Sequence, residues 1–217
     1  MPMEVIFIST LVIKHHGILG QKWGVRNGPP YPLDAKGQYK KVKNLNLQMN
    51  DTWDYGIILN GKKITDLENV DWSKYRTIPI DVLKKEKIGV CWDFVNYQHS
   101  FFKENGYQDE TFMLVSRRSK NPEDILTHTF SIVTIGDKKY WFESAKWNDR
   151  GVHEVKDYKT VINKFINDNY IRNEYDVYKF DPDGMDNNLT DKEYFNRATS
   201  KRNFIETSQI NNYKKII

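Results

Sequence analysis

Apolar and polar positions follow two different periods along this chain. Between residues 91 and 105 the apolar side chains fall at 91, 94, 95, 101 and 102, a helical spacing that Gly106 is suited to stop. Gly89, just ahead of this run, permits a tight turn into the helix. Residues 111–115, 127–135 and 139–144 then read as strands, with Gly136-Asp137 as the turn between the last two. A helix follows over 155–169, with Val161, Ile162, Phe165 and Ile166 on one face. Residues 175–180 read as a strand and 190–200 as a last helix, after which the chain is expected to fray.

Upstream, Ile57-Ile58-Leu59 runs into Asn60-Gly61, a strong hairpin signal, with Lys62-Lys63-Ile64 as the return strand. Residues 78–87 read as a short helix. Residues 1–44 differ in kind: the stretch from His15 to Pro30 holds four glycines and two prolines, which argues for turns and extended chain. The predicted organisation is an extended arm or linker over 1–44 and one folded domain over 45–217. Helices beside an antiparallel sheet make an α+β fold.

Composition narrows the function classes. The chain is 39% hydrophobic and 14% aromatic, enough for a packed core. Its net charge of +4 comes from interspersed acids and bases, without the concentrated basic face of a nucleic-acid binder. No run approaches the roughly 20 apolar residues needed to span a bilayer. The apolar run from Val5 to Ile13 lacks a basic segment before it and a small-residue cleavage site after it, so it reads as a strand or docking segment rather than a secretory signal. Neither nucleic acid nor membrane is expected as a partner.

Cys91 stands alone in the sequence, which excludes an intramolecular disulfide and a Cys-based metal site. A lone cysteine is commonly a small buried hydrophobe. Its position at a helix start permits a second role, because free N–H groups and the helix dipole favour a thiolate there. A thiolate nucleophile needs a base, and the base an orienting acid. His99 sits on the same predicted helix, about 12 Å further along the axis, and cannot be that base. His15 and His16 lie in the arm. His128 opens an apolar strand. In a hairpin centred on 136–137 it lies opposite residue 145, with Glu143 diagonally across on the same face. Glu143 is the candidate orienting acid, with Asp137 as the alternative, and Asp149 and His153 as further candidates to line the cleft. Trp92, Trp141 and Trp147 read as core or cleft walls.

The segments Lys87-Ile88-Gly89-Val90-Cys91-Trp92-Asp93-Phe94-Val95, His128-Thr129-Phe130 and Lys139-Tyr140-Trp141-Phe142-Glu143 resemble, in this order, the transglutaminase-like superfamily of papain-like cysteine enzymes. That pattern is a Gly-x-Cys helix start, a His opening a strand, and an acid closing the next strand. The resemblance covers about residues 85–180. It implies a papain-like core, a Cys91–His128–Glu143 triad, a thioester intermediate, and a peptidase, amidase, deamidase or acyl transferase acting on protein or peptide. No cofactor and no metal is expected, because nothing in the sequence indicates the calcium sites that some transglutaminases use. The chain departs from the pattern in having Glu143 where Asp is usual, and Phe94 or Val95 where a small residue is common. Related cell-wall cysteine peptidases usually carry Asp where this chain has Val90.

The string His15-His16-Gly17-Ile18-Leu19-Gly20-Gln21-Lys22-Trp23-Gly24-Val25-Arg26 is similar to a short N-terminal motif of phage and prophage structural or morphogenesis proteins. That similarity implies phage virion or bacterial host proteins as partners, and a place in the host cytoplasm or on the virion. It keeps open a different reading, a phage structural or host-interaction protein with an inactive transglutaminase-like fold, and a third, an inhibitor of a host defence.

Overall fold

The computed structural model describes residues 34–117, 125–145, 147–168 and 175–208. Two units divide the chain, 1–34 and 35–217. The second opens on α1 (Ala35–Thr52), whose buried residues Val42, Leu45, Asn46 and Met49 make one stripe. The boundary expected between 44 and 45 therefore falls inside a helix. Residues 35–44 are not an extended arm, because Val42 is completely buried in the core. The phage-type string at 15–26 lies outside the described residues.

Three short strands come next: β1 (Asp54–Tyr55), β2 (Ile57–Leu59) and β3 (Lys62–Ile64). The β2–β3 hairpin has the expected register, with Leu59 opposite Lys62. Asn60 and Gly61 both carry positive φ, 51° and 73°, as a two-residue turn of this kind requires. Then come α2 (Ile80–Glu86), β4 (Ile88–Gly89) and α3 (Cys91–Glu104). β1 and β4 pair in parallel, Tyr55 beside Gly89.

The rest of the domain is an antiparallel sheet with two helices: β5 (Gln108–Arg117), β6 (Ile125–Ile135), β7 (Lys138–Glu143), β8 (Gly151–Val155), α4 (Tyr158–Asp168), β9 (Tyr175–Phe180), α5 (Asp191–Ala198) and β10 (Phe204–Ser208). The strand order is β10-β9-β5-β6-β7-β8. The α+β class expected from the sequence is the observed one. β8 and β10 are additions. Val155 ends β8, so the helix expected from 155 begins at Tyr158.

Strand alternation splits the core between two layers of helix. Phe112 and Leu114 of β5, with Phe130 and Ile132 of β6, pack against Val161, Ile162 and Phe165 of α4. Met113 and Val115 turn the other way, toward Val95 of α3 and Tyr194 and Ala198 of α5. On that second face Val133, Ile135 and Phe142 meet Phe94 and Phe102 of α3 and Leu45 and Met49 of α1. Each of the Val, Leu, Ile, Phe and Met side chains among these, fully buried, contributes about 1.5–3 kcal/mol. The packing clamps α3 against the sheet at the level of the β6–β7 hairpin. No helix among the described residues is long and apolar enough to cross a membrane.

Candidate active site

The start of α3 is set by two residues. A Cβ on Gly89 would lie 2.8 Å from Asp93 Cβ and 3.0 Å from Leu83 Cδ1, so only glycine lets β4 run this close to the helix. Val90, at the N-cap, has no side-chain acceptor. Instead Asp93 reaches back and accepts from Val90 N–H at 3.0 Å, half of a capping box. Its other oxygen accepts from Ile78 N–H at 2.8 Å. These bonds place Cys91 in the first helical turn, where the free amides and dipole favour negative charge.

His128 sits on β6 opposite Leu114 of β5. Its ring lies flat on Phe165 of α4, centroids 4.8 Å apart and planes 6° apart. Nε2 meets Glu143 Oε2 at 2.8 Å, the acid diagonally across the hairpin. Glu143 Oε1 accepts from Ala145 N–H at 2.6 Å. The main chain is held from the helix layer as well, since Asn46 Nδ2 of α1 donates to the Glu143 carbonyl at 2.7 Å. Cys91, His128 and Glu143 are 6%, 6% and 2% exposed, so the cluster is sealed from bulk water except where its cleft opens. Asp137, the other acid considered, is exposed in the hairpin turn, about 25 Å of strand away from His128.

The thiol faces this pair because β6 outruns β7. Register between the two strands stops at Ser131 opposite Phe142. Residues 125–130 continue without a β7 partner, and Cys91 comes up to this stretch beside His128 and Thr129. Burial pushes the Cys91 thiol up, but the facing imidazole and its charge outweigh burial and bring it below the usual thiol range. Burial likewise opposes charge on His128, yet the Glu143 carboxylate and Cys91 raise it to about 10. The shifts favour a thiolate–imidazolium pair, and the titration belongs to the pair rather than to either residue.

Two features of the site were not expected from the sequence. Tyr55 of β1 turns its hydroxyl toward both the thiol and the backbone of Cys91. Asp93 is fully buried, and desolvation, only partly offset by the Ile78 and Val90 amides, raises its carboxyl to about 7. The signal for Asp93 was present, an acid three residues after the N-cap. Tyr55 carried none, because a two-residue strand is defined only by its distant partner.

The site opens into a cavity of about 840 Å³ lined by Cys91, Tyr55, Trp72, Trp92, Ile125 and Phe195 among others. Trp92 also stacks on Tyr194 at 4.7 Å. Trp141 is instead a core residue on the α4 face. His99 is occupied elsewhere: Nδ1 meets Asp109 at 2.9 Å and Nε2 meets Asp183 at 3.2 Å. His153 meets the Asp149 carbonyl at 2.7 Å, and Asp149 pairs with Lys164 at 2.9 Å. Neither lines this cavity. Among the described residues, His99, Asp181 and Asp183 could present three ligand atoms to a metal, within 4.8 Å of one another. Lys103 already pairs with Asp183, and Asp109 with His99, so the cluster is an ion-pair network. No protein-family model matches the chain, and no curated protein matches it.

Proposed function

We propose that the chain is a cysteine-dependent hydrolase of the transglutaminase-like, papain-like kind, cleaving an amide in a protein or peptide through a thioester on Cys91. The observation that carries this reading is the convergence of thiol, imidazole and carboxylate, in that order, with Cys91 lining the cleft and the His128–Glu143 pair buried behind it. The Cys91 thiolate adds to the substrate carbonyl. His128, as imidazolium, gives its proton to the departing amine, which leaves a thioester and a neutral imidazole. The imidazole then takes a proton from water, whose oxygen displaces the thiol and releases the acid. Glu143 holds Nε2–H and with it the ring orientation and tautomer, so the other ring nitrogen is directed at sulfur. The apolar walls of the cleft, Trp72, Ile125 and Phe195, suit a polypeptide with bulky apolar side chains beside the reacting amide. Partners in this reading are proteins of a phage particle or its bacterial host.

The test is the rate of Cys91 alkylation by iodoacetamide from pH 5 to 9, read by intact mass, in the wild type and in His128→Ala. Fast labelling with an apparent pKa well below about 8.5, lost in the variant, is expected. Slow labelling with an ordinary pKa in both proteins would reduce Cys91 to a packing residue and end this reading.

A further inference from the structure

The geometry points to Tyr55 as a catalytic residue: its hydroxyl and the Cys91 N–H together form the oxyanion hole of the site, donating to the carbonyl oxygen when sulfur adds to carbon. This rests on the Cys91–His128 hydrolase reading and supplies the second donor that the mechanism requires.

The main chain fixes where Tyr55 stands. β1 is only two residues long, yet it is fastened on both sides of Tyr55, by Asp54 N–H to the Lys87 carbonyl at 2.8 Å and Gly56 N–H to the Gly89 carbonyl at 3.1 Å. A Cβ on Gly56 would lie 2.4 Å from the Ile64 carbonyl oxygen, so the strand is packed as closely as glycine permits. Tyr55 is thereby held beside Gly89, two residues before the nucleophile. Its ring stands edge-on to Phe94, centroids 6.1 Å apart, one turn along α3 from Cys91. The ring keeps one side in solvent, being 37% exposed, and with Cys91 it lines the cavity. Its hydroxyl faces both the thiol and the amide of Cys91.

An oxygen bonded to the carbon under attack by sulfur, and within reach of the Cys91 amide, falls beside that hydroxyl, which this amide and the thiol both face. Burial and the charge of Cys91 keep the phenol protonated far above neutral pH, so it stays a donor while the thiol ionises. When sulfur adds, the carbonyl π electrons move to oxygen, and the negative charge lands beside the Tyr55 O–H and the Cys91 N–H. When the tetrahedral species collapses, the charge returns to carbon and no proton needs to leave Tyr55. Trp92 lines the cavity as well, but its indole nitrogen is itself buried.

The experiment compares two reactions of Cys91, one that makes an oxyanion and one that does not. Addition of the peptide aldehyde acetyl-leucyl-leucyl-norleucinal gives a hemithioacetal oxyanion, read as protection of Cys91 from labelling. Alkylation by iodoacetamide makes none at the carbonyl position. In Tyr55→Phe the aldehyde should bind about 100-fold more weakly, while the alkylation rate and its pH profile stay within twofold and the melting temperature holds. Unchanged aldehyde affinity would overturn the inference. So would a parallel loss of both reactions, which would make Tyr55 a residue that orders the Cys91–His128 pair. A wild type that alkylates fast but does not bind the aldehyde also counts against it. Slow wild-type alkylation with an ordinary pKa would fail the hydrolase reading itself, and the inference with it.

Discussion

Asp93 accepts a 3.0 Å hydrogen bond from the N–H of Val90, the residue immediately before Cys91. The same carboxyl holds Ile78 N–H at 2.8 Å, so one fully buried acid joins the chain ahead of α2 to the turn that presents Cys91.

A buried acid raised to about 7 makes stability depend on pH. Below the unfolded value of 3.8 the group is protonated in both states and its contribution is complete. Between there and about 7 only the unfolded chain ionises, so stability falls as pH rises. The full gap amounts to about 4 kcal/mol. Asp93→Asn cannot ionise. The stability of the wild type relative to this variant, measured in denaturant between pH 4 and 8, is therefore expected to decline with rising pH. A flat difference would mean that Asp93 is charged in the folded protein.

Gly89→Ala tests the close approach of β4 to α3. The new methyl meets Asp93, Leu83 and Phe94 at 2.8, 3.0 and 3.1 Å, an overpacking worth about 1–3 kcal/mol. Lower stability together with slower Cys91 alkylation is the expected result. Normal alkylation in a destabilised variant would show that the helix start tolerates displacement.

Glu143→Gln keeps the shape of the side chain and removes its charge. The imidazolium loses the carboxylate that raises it, and the thiol in turn loses part of the charge that lowers it. Alkylation at pH 6 should slow by at least about tenfold, with the apparent pKa of the thiol moving up. An unchanged profile would assign Glu143 to packing alone.

His99→Gln tests a histidine outside the site. The Asp109 hydrogen bond raises the His99 pKa, partial burial opposes it, and the charges of Asp109 and Asp183 add to the rise. A raised histidine stabilises fully below its unfolded value and loses that contribution as pH climbs through the folded one. The variant should therefore lose more stability at pH 5.5 than at pH 9, while Cys91 alkylation stays within twofold. A change in alkylation would connect this network to the site.

Much of the site was legible because its determinants are local. Gly136-Asp137 sets a hairpin, a strand repeats every two residues, and those two facts put His128 and Glu143 on one face. Gly89 and the apolar spacing after it likewise place Cys91 at the start of a helix. Local reading failed where polar residues mask a period. In α1 the buried stripe Val42, Leu45 and Met49 is interrupted by Asn46, and Gly37 and four lysines obscure it further. It also failed at the sheet edges: β8 and β10 are short, and Val152, His153 and Glu154 show no apolar alternation to mark a strand.

The sequence by itself therefore determined the α+β class, the hairpin register that puts His128 and Glu143 on one face, and the places of Cys91 and Glu143 at the ends of their elements, whereas β6 begins three residues before His128. All of these come from periods and turns within about 20 residues. Only the tertiary structure decided that the thiol meets the imidazole at the stretch where β6 runs on past β7, that Asp93 fastens the helix start to Ile78, and that Tyr55 stands beside Cys91. These depend on pairings between segments whose attraction is undirected apolar burial and whose final registry is set by close packing. Gly56 and Gly89 show the reason most plainly: each is glycine because of a neighbour that folding alone brings near.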